Sequence, residues 1–136
     1  AAEEHDHVVM WDGFVGAVGG TVGAEPNPET LACVEAWTKA DGFGRQLARM
    51  FAIESGQPAI SKTKTEGLGE HYEITDSPGN LYFTVHEEMD VHHAAEGRKL
   101  IERYMNDFSE DELVEAAEEA FKANWLLLDG VEKARA

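Results

Sequence analysis

In the stretch Val85-His86-Glu87-Glu88-Met89-Asp90-Val91-His92-His93, three ligand-type residues fall at i, i+4 and i+7. At about 100° per residue, Asp90 lies about 40° from His86, and His93 about 20° away on the other side. His86, Asp90 and His93 therefore share one narrow stripe only if the segment is an α-helix. Carried onward, the stripe meets Gly97, Leu100, Ile101 and Tyr104, a largely apolar side that is expected to face a core. Glu87, Glu88 and His92 point elsewhere and are expected in solvent. Three ionisable groups turned toward a core are costly unless something compensates them. A bound metal ion would do so. The plainer alternative is a hydrogen-bonded polar cluster, which is what a single inward histidine commonly is.

The remainder of the chain is also patterned for helices. A first helix is expected from about Glu3 to Val18, with Met10, Trp11, Phe14, Val15 and Val18 apolar and Gly19-Gly20 ending it. Asn27 is placed to cap a second, with Pro28 in its first turn and Leu31, Val34 and Trp37 as the inward stripe. Asp41-Gly42 interrupts it. A third pattern runs from Phe43 through Leu47, Met50, Phe51 and Glu54, and Ser55-Gly56-Gln57-Pro58 is expected to break it. Residues 59–79 read as a loop with one helical turn around Gly69–Ile74. The helix carrying the stripe spans roughly Leu81–Met105. Ser109 with Glu112 forms a capping box for a fifth, ending near Leu128 at Asp129-Gly130. About five helices and no sheet make an all-α bundle, in one domain over residues 1–136.

Other helices extend the ligand pattern. Glu54 follows Phe51, Met50 and Leu47 by three, four and seven residues, so its carboxylate prolongs an apolar stripe. Against this, a glutamate at a helix end so close to Gly56 can turn into solvent. Glu4 and His7 precede Trp11, Phe14 and Val18, at i+4, i+7 and i+11 from His7. Their plainer reading is an acidic first turn that offsets the helix dipole. Together Glu4, His7, Glu54, His86, Asp90 and His93 give three carboxylates and three imidazoles. That set is too rich in carboxylate oxygen for structural zinc and too rich in nitrogen for calcium. It suits iron, with manganese as the alternative, and six donors suffice for two ions.

Lys plus Arg is 11 and Asp plus Glu is 27, giving 11 − 27 = −16. Such a charge argues against nucleic acid and anionic membranes, because phosphate recognition needs a basic patch. The acids crowded into 109–120 read as a solvated helix face. Cys33 is the single cysteine, so no internal disulfide can form, and a reducing, cytoplasmic setting is expected. It reads as a small buried side chain rather than a reactive one.

The ligand motif and its surroundings resemble the haem-oxygenase-like diiron oxidases and oxygenases, relatives of the TenA thiaminases and pyrroloquinoline-quinone synthase. The likeness runs from Glu4-x-x-His7 through Glu54 to His86-x-x-x-Asp90-x-x-His93, and takes in Gly67-Leu68-Gly69-Glu70-His71-Tyr72 and Tyr82-Phe83-Thr84-Val85-His86. The ligand set is specific; the scaffold, which hosts several chemistries, is not. The resemblance implies a seven-helix-type bundle with those six ligands and dioxygen activation by one or two ferrous ions. Glu4, His7 and His86 would then hold one ion, and Glu54, Asp90 and His93 the other. The product would be an oxidised small organic substrate, with Trp11, Phe14 and Tyr82 lining its pocket and Tyr72 at its mouth; the plainer reading of aromatics at helical spacing is core packing. Family members carry one or two helices before the first ligand motif, whereas this chain begins almost on it. The expectation is therefore an N-terminal part that is missing, or a partner subunit, such as a second copy in a homodimer, that completes the bundle. Two other readings compete: a metal-free enzyme of the TenA or quinone-synthase kind, with Glu54 and His86 moving protons, and a non-catalytic helical module.

Overall fold

The computed structural model describes residues 2–135, with side chains from residue 5 to residue 135. Over these residues the chain forms α1 (Ala2–Ala17), α2 (Pro28–Thr38), α3 (Phe43–Tyr72), α4 (Leu81–Tyr104) and α5 (Glu110–Arg135), with a 3-10 turn at Met105–Asp107. The fold class is all-α, as the periodicity implied. No strand occurs among the described residues, and no helix among them is long and apolar enough to cross a membrane. Contacts divide the chain into two compact units. One comprises residues 1–24 and 56–91, the other residues 25–55 and 92–136.

Local chemistry sets several helix ends. Asn27 caps α2, its Oδ1 accepting from the Thr30 amide at 2.7 Å, and Pro28 occupies the first turn, where its missing N–H costs nothing. The Glu112 carboxylate accepts from the Ser109 amide at 3.3 Å, one half of the expected capping box ahead of α5. Gly19 (φ 74°), just beyond α1, adopts the left-handed conformation that only glycine reaches without steric cost.

Two expected helix breaks do not occur. Helix α3 continues through Ser55-Gly56-Gln57-Pro58 to Tyr72, so residues 59–72 are helix rather than loop. Pro58 withholds one N–H from the Glu54 carbonyl, a cost that normally ends a helix. Burial outweighs it, since Ala52 before the proline and Ser61 and Leu68 after it are all buried. Glu54 is therefore half-buried in mid-helix and not at a fraying end.

Helix α5 likewise runs past Asp129-Gly130 to Arg135. In the second unit α5 packs against α2. Its buried positions are Ala116, Ala120, Ala123 and Gly130, a small-residue stripe that permits close approach. A Cβ built on Gly130 would stand 2.6 Å from the Glu29 Cβ and 3.0 Å from the Asn27 side-chain nitrogen Nδ2. This glycine is present for space, so it does not act as a stop signal.

That closeness also corrects the inward face of α2. Leu31, Val34 and Trp37 are 50%, 52% and 41% exposed, whereas Cys33 is buried and Asn27, Glu29, Thr30, Ala32 and Ala36 are half-buried. The alanines and glycine of α5 leave room only for small groups and for the Cys33 thiol, which lies 3.7 Å from the Asn124 side-chain oxygen Oδ1. Lys133 reaches Glu29 at 2.6 Å to close the far end of the pair. Met50, placed in the α3 stripe by periodicity, is also exposed; Ala48, Arg49 and Ala52 are the buried residues there.

Candidate metal centre and its surroundings

Helix α4 presents the stripe that its spacing implied. His86 and Asp90 are 6% and 3% exposed, and His93, Gly97, Ile101 and Tyr104 are half-buried along the same line. Leu100 is exposed, so the buried band is narrower than drawn from sequence. Glu88 and His92 face solvent as expected, and Glu87 is half-buried.

In the first unit, α1 brings His7 to α4, with the His7 and His86 rings 4.5 Å apart between centroids and inclined at 57°. Asp90 follows His86 by one turn on the same buried face. The second unit contains Glu54 on α3 and His93 on α4, both half-buried. The side chain of Glu4 lies outside the described residues. Among the described residues, no three His, Cys, Asp or Glu side chains form a set that could hold an ion.

The chemistry of His86 nevertheless fits a metal ligand. Its Nδ1 lies 2.6 Å from the Tyr82 backbone carbonyl. A carbonyl oxygen can only accept, so Nδ1 must carry a proton, and Nε2 is the nitrogen left to offer a lone pair in the neutral ring. Metal-binding histidines are prepared in this way, one ring nitrogen donating to a carbonyl while the other is turned to the cation. The ring is also held in place, because Tyr82 stacks on it at 4.0 Å and 27°.

Around this pair lies an aromatic cluster that the periodicity had only partly specified. Trp11 meets Phe14 at 5.1 Å, Tyr82 at 5.0 Å and Phe83 at 6.2 Å, while Phe14 meets Phe83 at 5.0 Å and 83°. Edge-to-face pairs of this kind each contribute about 0.5–1.5 kcal/mol beyond the area they bury. Of the four residues expected to line a pocket, Trp11, Phe14 and Tyr82 belong to this cluster. Tyr72 ends α3 largely exposed, next to an equally exposed His71.

A model of a family of iron-containing redox enzymes matches residues 1–125. The chain belongs to this family. Its resemblance to curated relatives points the same way. It is 33% identical over 131 residues to a 4-aminobenzoate synthase of Chlamydia trachomatis, covering 91% of this chain and 56% of the relative. With the enzyme of that name from Chlamydia muridarum, the identity is 33%, covering 91% of this chain and 55% of the relative. With that from Nitrosomonas europaea it is 29% over 140 residues, covering 95% and 57%. The chain spans little more than half the length of these relatives. Family membership supports iron as the metal.

Sequence reasoning missed a second polar constellation, in the other unit. Arg49 is 1% exposed, and its guanidinium donates to both Asp41 oxygens at 2.6 Å and to Glu119 at 2.8 Å. Arg45 adds bonds to Asp41 at 3.0 Å and Glu115 at 2.8 Å. Hydrogen bonds from Arg49, opposed by burial and reinforced by Arg45, hold the Asp41 carboxyl well below the usual carboxylate range; Glu119 is lowered mainly by Arg49 as well. Glu119 is thus a partner of a buried cation, where a solvated acidic face was expected. The signal was available: Asp41, Arg45 and Arg49 recur once per turn.

Proposed function

We propose that this chain forms part of an iron-dependent oxygenase that uses dioxygen to oxidise a small organic substrate, with aromatic amino acids of the 4-aminobenzoate type as the product class. The reading rests on one observation above others. His86 is a buried imidazole whose Nδ1 proton is committed to a backbone carbonyl, one turn from a buried Asp90, in a chain of the iron-containing redox family. The name that the curated relatives share supports the product class.

The donors we propose for iron are His86 and Asp90 first, with His7, Glu54, His93 and Glu4 as the further members of the set of six implied by the sequence. Imidazole nitrogens and carboxylate oxygens together are donors that suit ferrous iron. When bound, iron supplies the electrons and open sites that dioxygen chemistry requires. The chain's own residues have simpler tasks. Tyr82 orients His86, burial keeps bulk water from His86 and Asp90, and the Trp11–Phe14–Phe83 cluster stiffens the wall beside them. The reading needs neither manganese nor a homodimer. A lone cysteine suits a reducing compartment, which supports placing this work in the cytoplasm.

The test is anaerobic titration with ferrous iron, followed by thermal melting. Ferrous iron at about 100 times its Kd should stabilise the wild type by about 2.7 kcal/mol. His86→Ala and Asp90→Ala should lose most of that gain. Equal stabilisation of all three proteins would remove these residues from the metal site. Loaded protein supplied with dioxygen, a reductant and a candidate aromatic substrate should then consume oxygen and convert that substrate to 4-aminobenzoate, detectable by mass spectrometry. Oxygen uptake with a different product would keep the oxygenase reading and discard the product class.

A further inference from the structure

We infer that Tyr82 is a positioning residue that sets both the tautomer and the ring plane of His86; this rests on the reading of His86 as a metal ligand. Two parts of one residue act on the same imidazole. The Tyr82 carbonyl accepts from Nδ1 at 2.6 Å and fixes which nitrogen keeps its lone pair. The Tyr82 phenol ring lies against the imidazole at 4.0 Å and 27°, close to parallel. A hydrogen bond to Nδ1 alone leaves the ring free to rock about that bond. A flat partner at stacking distance removes this freedom, since tilting the imidazole would drive its edge into the phenol face.

The clamp is itself braced. Trp11 meets the Tyr82 ring at 5.0 Å and 74°, and Phe83 meets it at 5.3 Å and 83°, so two steeply inclined aromatic rings pack on the ring that stacks on His86. The geometry is set by sequence spacing. Tyr82 and His86 are four residues apart on α4, the separation at which helical side chains stack one above the other. Stacking requires the ring alone. The phenol hydroxyl has no part in it, which makes the inference testable by a single oxygen atom.

The experiment uses cobalt(II), a stand-in for ferrous iron that does not react with dioxygen under titration conditions and whose visible spectrum reports ligand geometry. Wild type, Tyr82→Phe, Tyr82→Leu and His86→Ala would be titrated as full chains, each checked by circular dichroism and melting. Tyr82→Phe should bind within about threefold of wild type with the same spectrum. Tyr82→Leu should bind about 10- to 100-fold more weakly, the loss typical when a partner that orients a ligand is removed, with a changed spectrum and retained helicity. If Tyr82→Leu does not fold, Tyr82→Met, unbranched and of similar reach, takes its place with the same expectation. Wild-type affinity in the leucine or methionine variant, with binding lost in His86→Ala, overturns the positioning role and leaves the metal reading standing. Tyr82→Phe as weak as Tyr82→Leu also overturns it, because the hydroxyl would then be the active group. Unchanged binding in His86→Ala overturns the metal reading itself.

Discussion

Alanine at Gly130 should destabilise the protein, although alanine is the better helix former. The substitution gains about 1 kcal/mol of helix propensity in an interior position. Against that, the new Cβ would stand 2.6 Å from the Cβ of Glu29 and 3.1 Å from its Cγ. Carbon atoms in contact prefer about 3.5–4.0 Å, so the approach is short by about 1 Å. Glu29 cannot rotate its Cβ away, since that atom is fixed to the α2 backbone, and the two helices must separate instead. Separation loosens α2 from the buried alanines of α5 and stretches the Lys133–Glu29 contact. Overpacking of this kind costs about 1–3 kcal/mol, and a clash between two backbone-anchored atoms belongs in the upper part of that range. The net loss is then about 1–2 kcal/mol. For a chain of this length it lowers Tm by about 4–7 °C. Far-UV circular dichroism melts of Gly130→Ala and Gly16→Ala provide the assay. Gly16 is helical and exposed, and a Cβ added there would meet no atom within 4 Å, so the same change should raise Tm by up to about 3 °C. If both variants melt higher than wild type, the close approach of α2 and α5 is wrong.

The ion network should leave a signature in acid. Asp41 and Glu119 titrate below their ordinary range when folded, so their contribution is present above about pH 4, the unfolded carboxylate value, and is lost as pH falls through the folded values. Melting temperatures of Arg49→Met measured downward from pH 5 should therefore fall less steeply than those of wild type, and parallel curves would refute the assignment. Cys33 is buried with its thiol pKa raised by burial. A disulfide reagent near neutral pH should react slowly with native protein and rapidly in denaturant. Equal rates would place the thiol at the surface.

The periodicity of the chain was sufficient to establish five helices, the Asn27 cap and the inward stripe of His86, Asp90 and His93, because each depends on spacing within one segment. The metal reading and the resemblance to a diiron family began from that stripe, and a family model matching residues 1–125 shows the membership. Where the sequence misled, the deciding term lay in another segment. Pro58 and Gly130 are helix breakers by local chemistry, and only burial beyond Pro58 and the approach of Glu29 to Gly130 reverse that expectation. Leu31, Val34 and Trp37 are the more apolar face of α2, yet the small residues of α5 select the face that carries Cys33.

The sequence by itself determined which residue types could meet on one helix face, since 3.6 residues per turn is a property of the backbone. Tertiary structure alone decided which faces met and that His7 came to rest against His86. Propensity and pattern are short-range and add residue by residue. Close packing depends on shapes from distant parts of the chain, so a single missing methyl group can outweigh them.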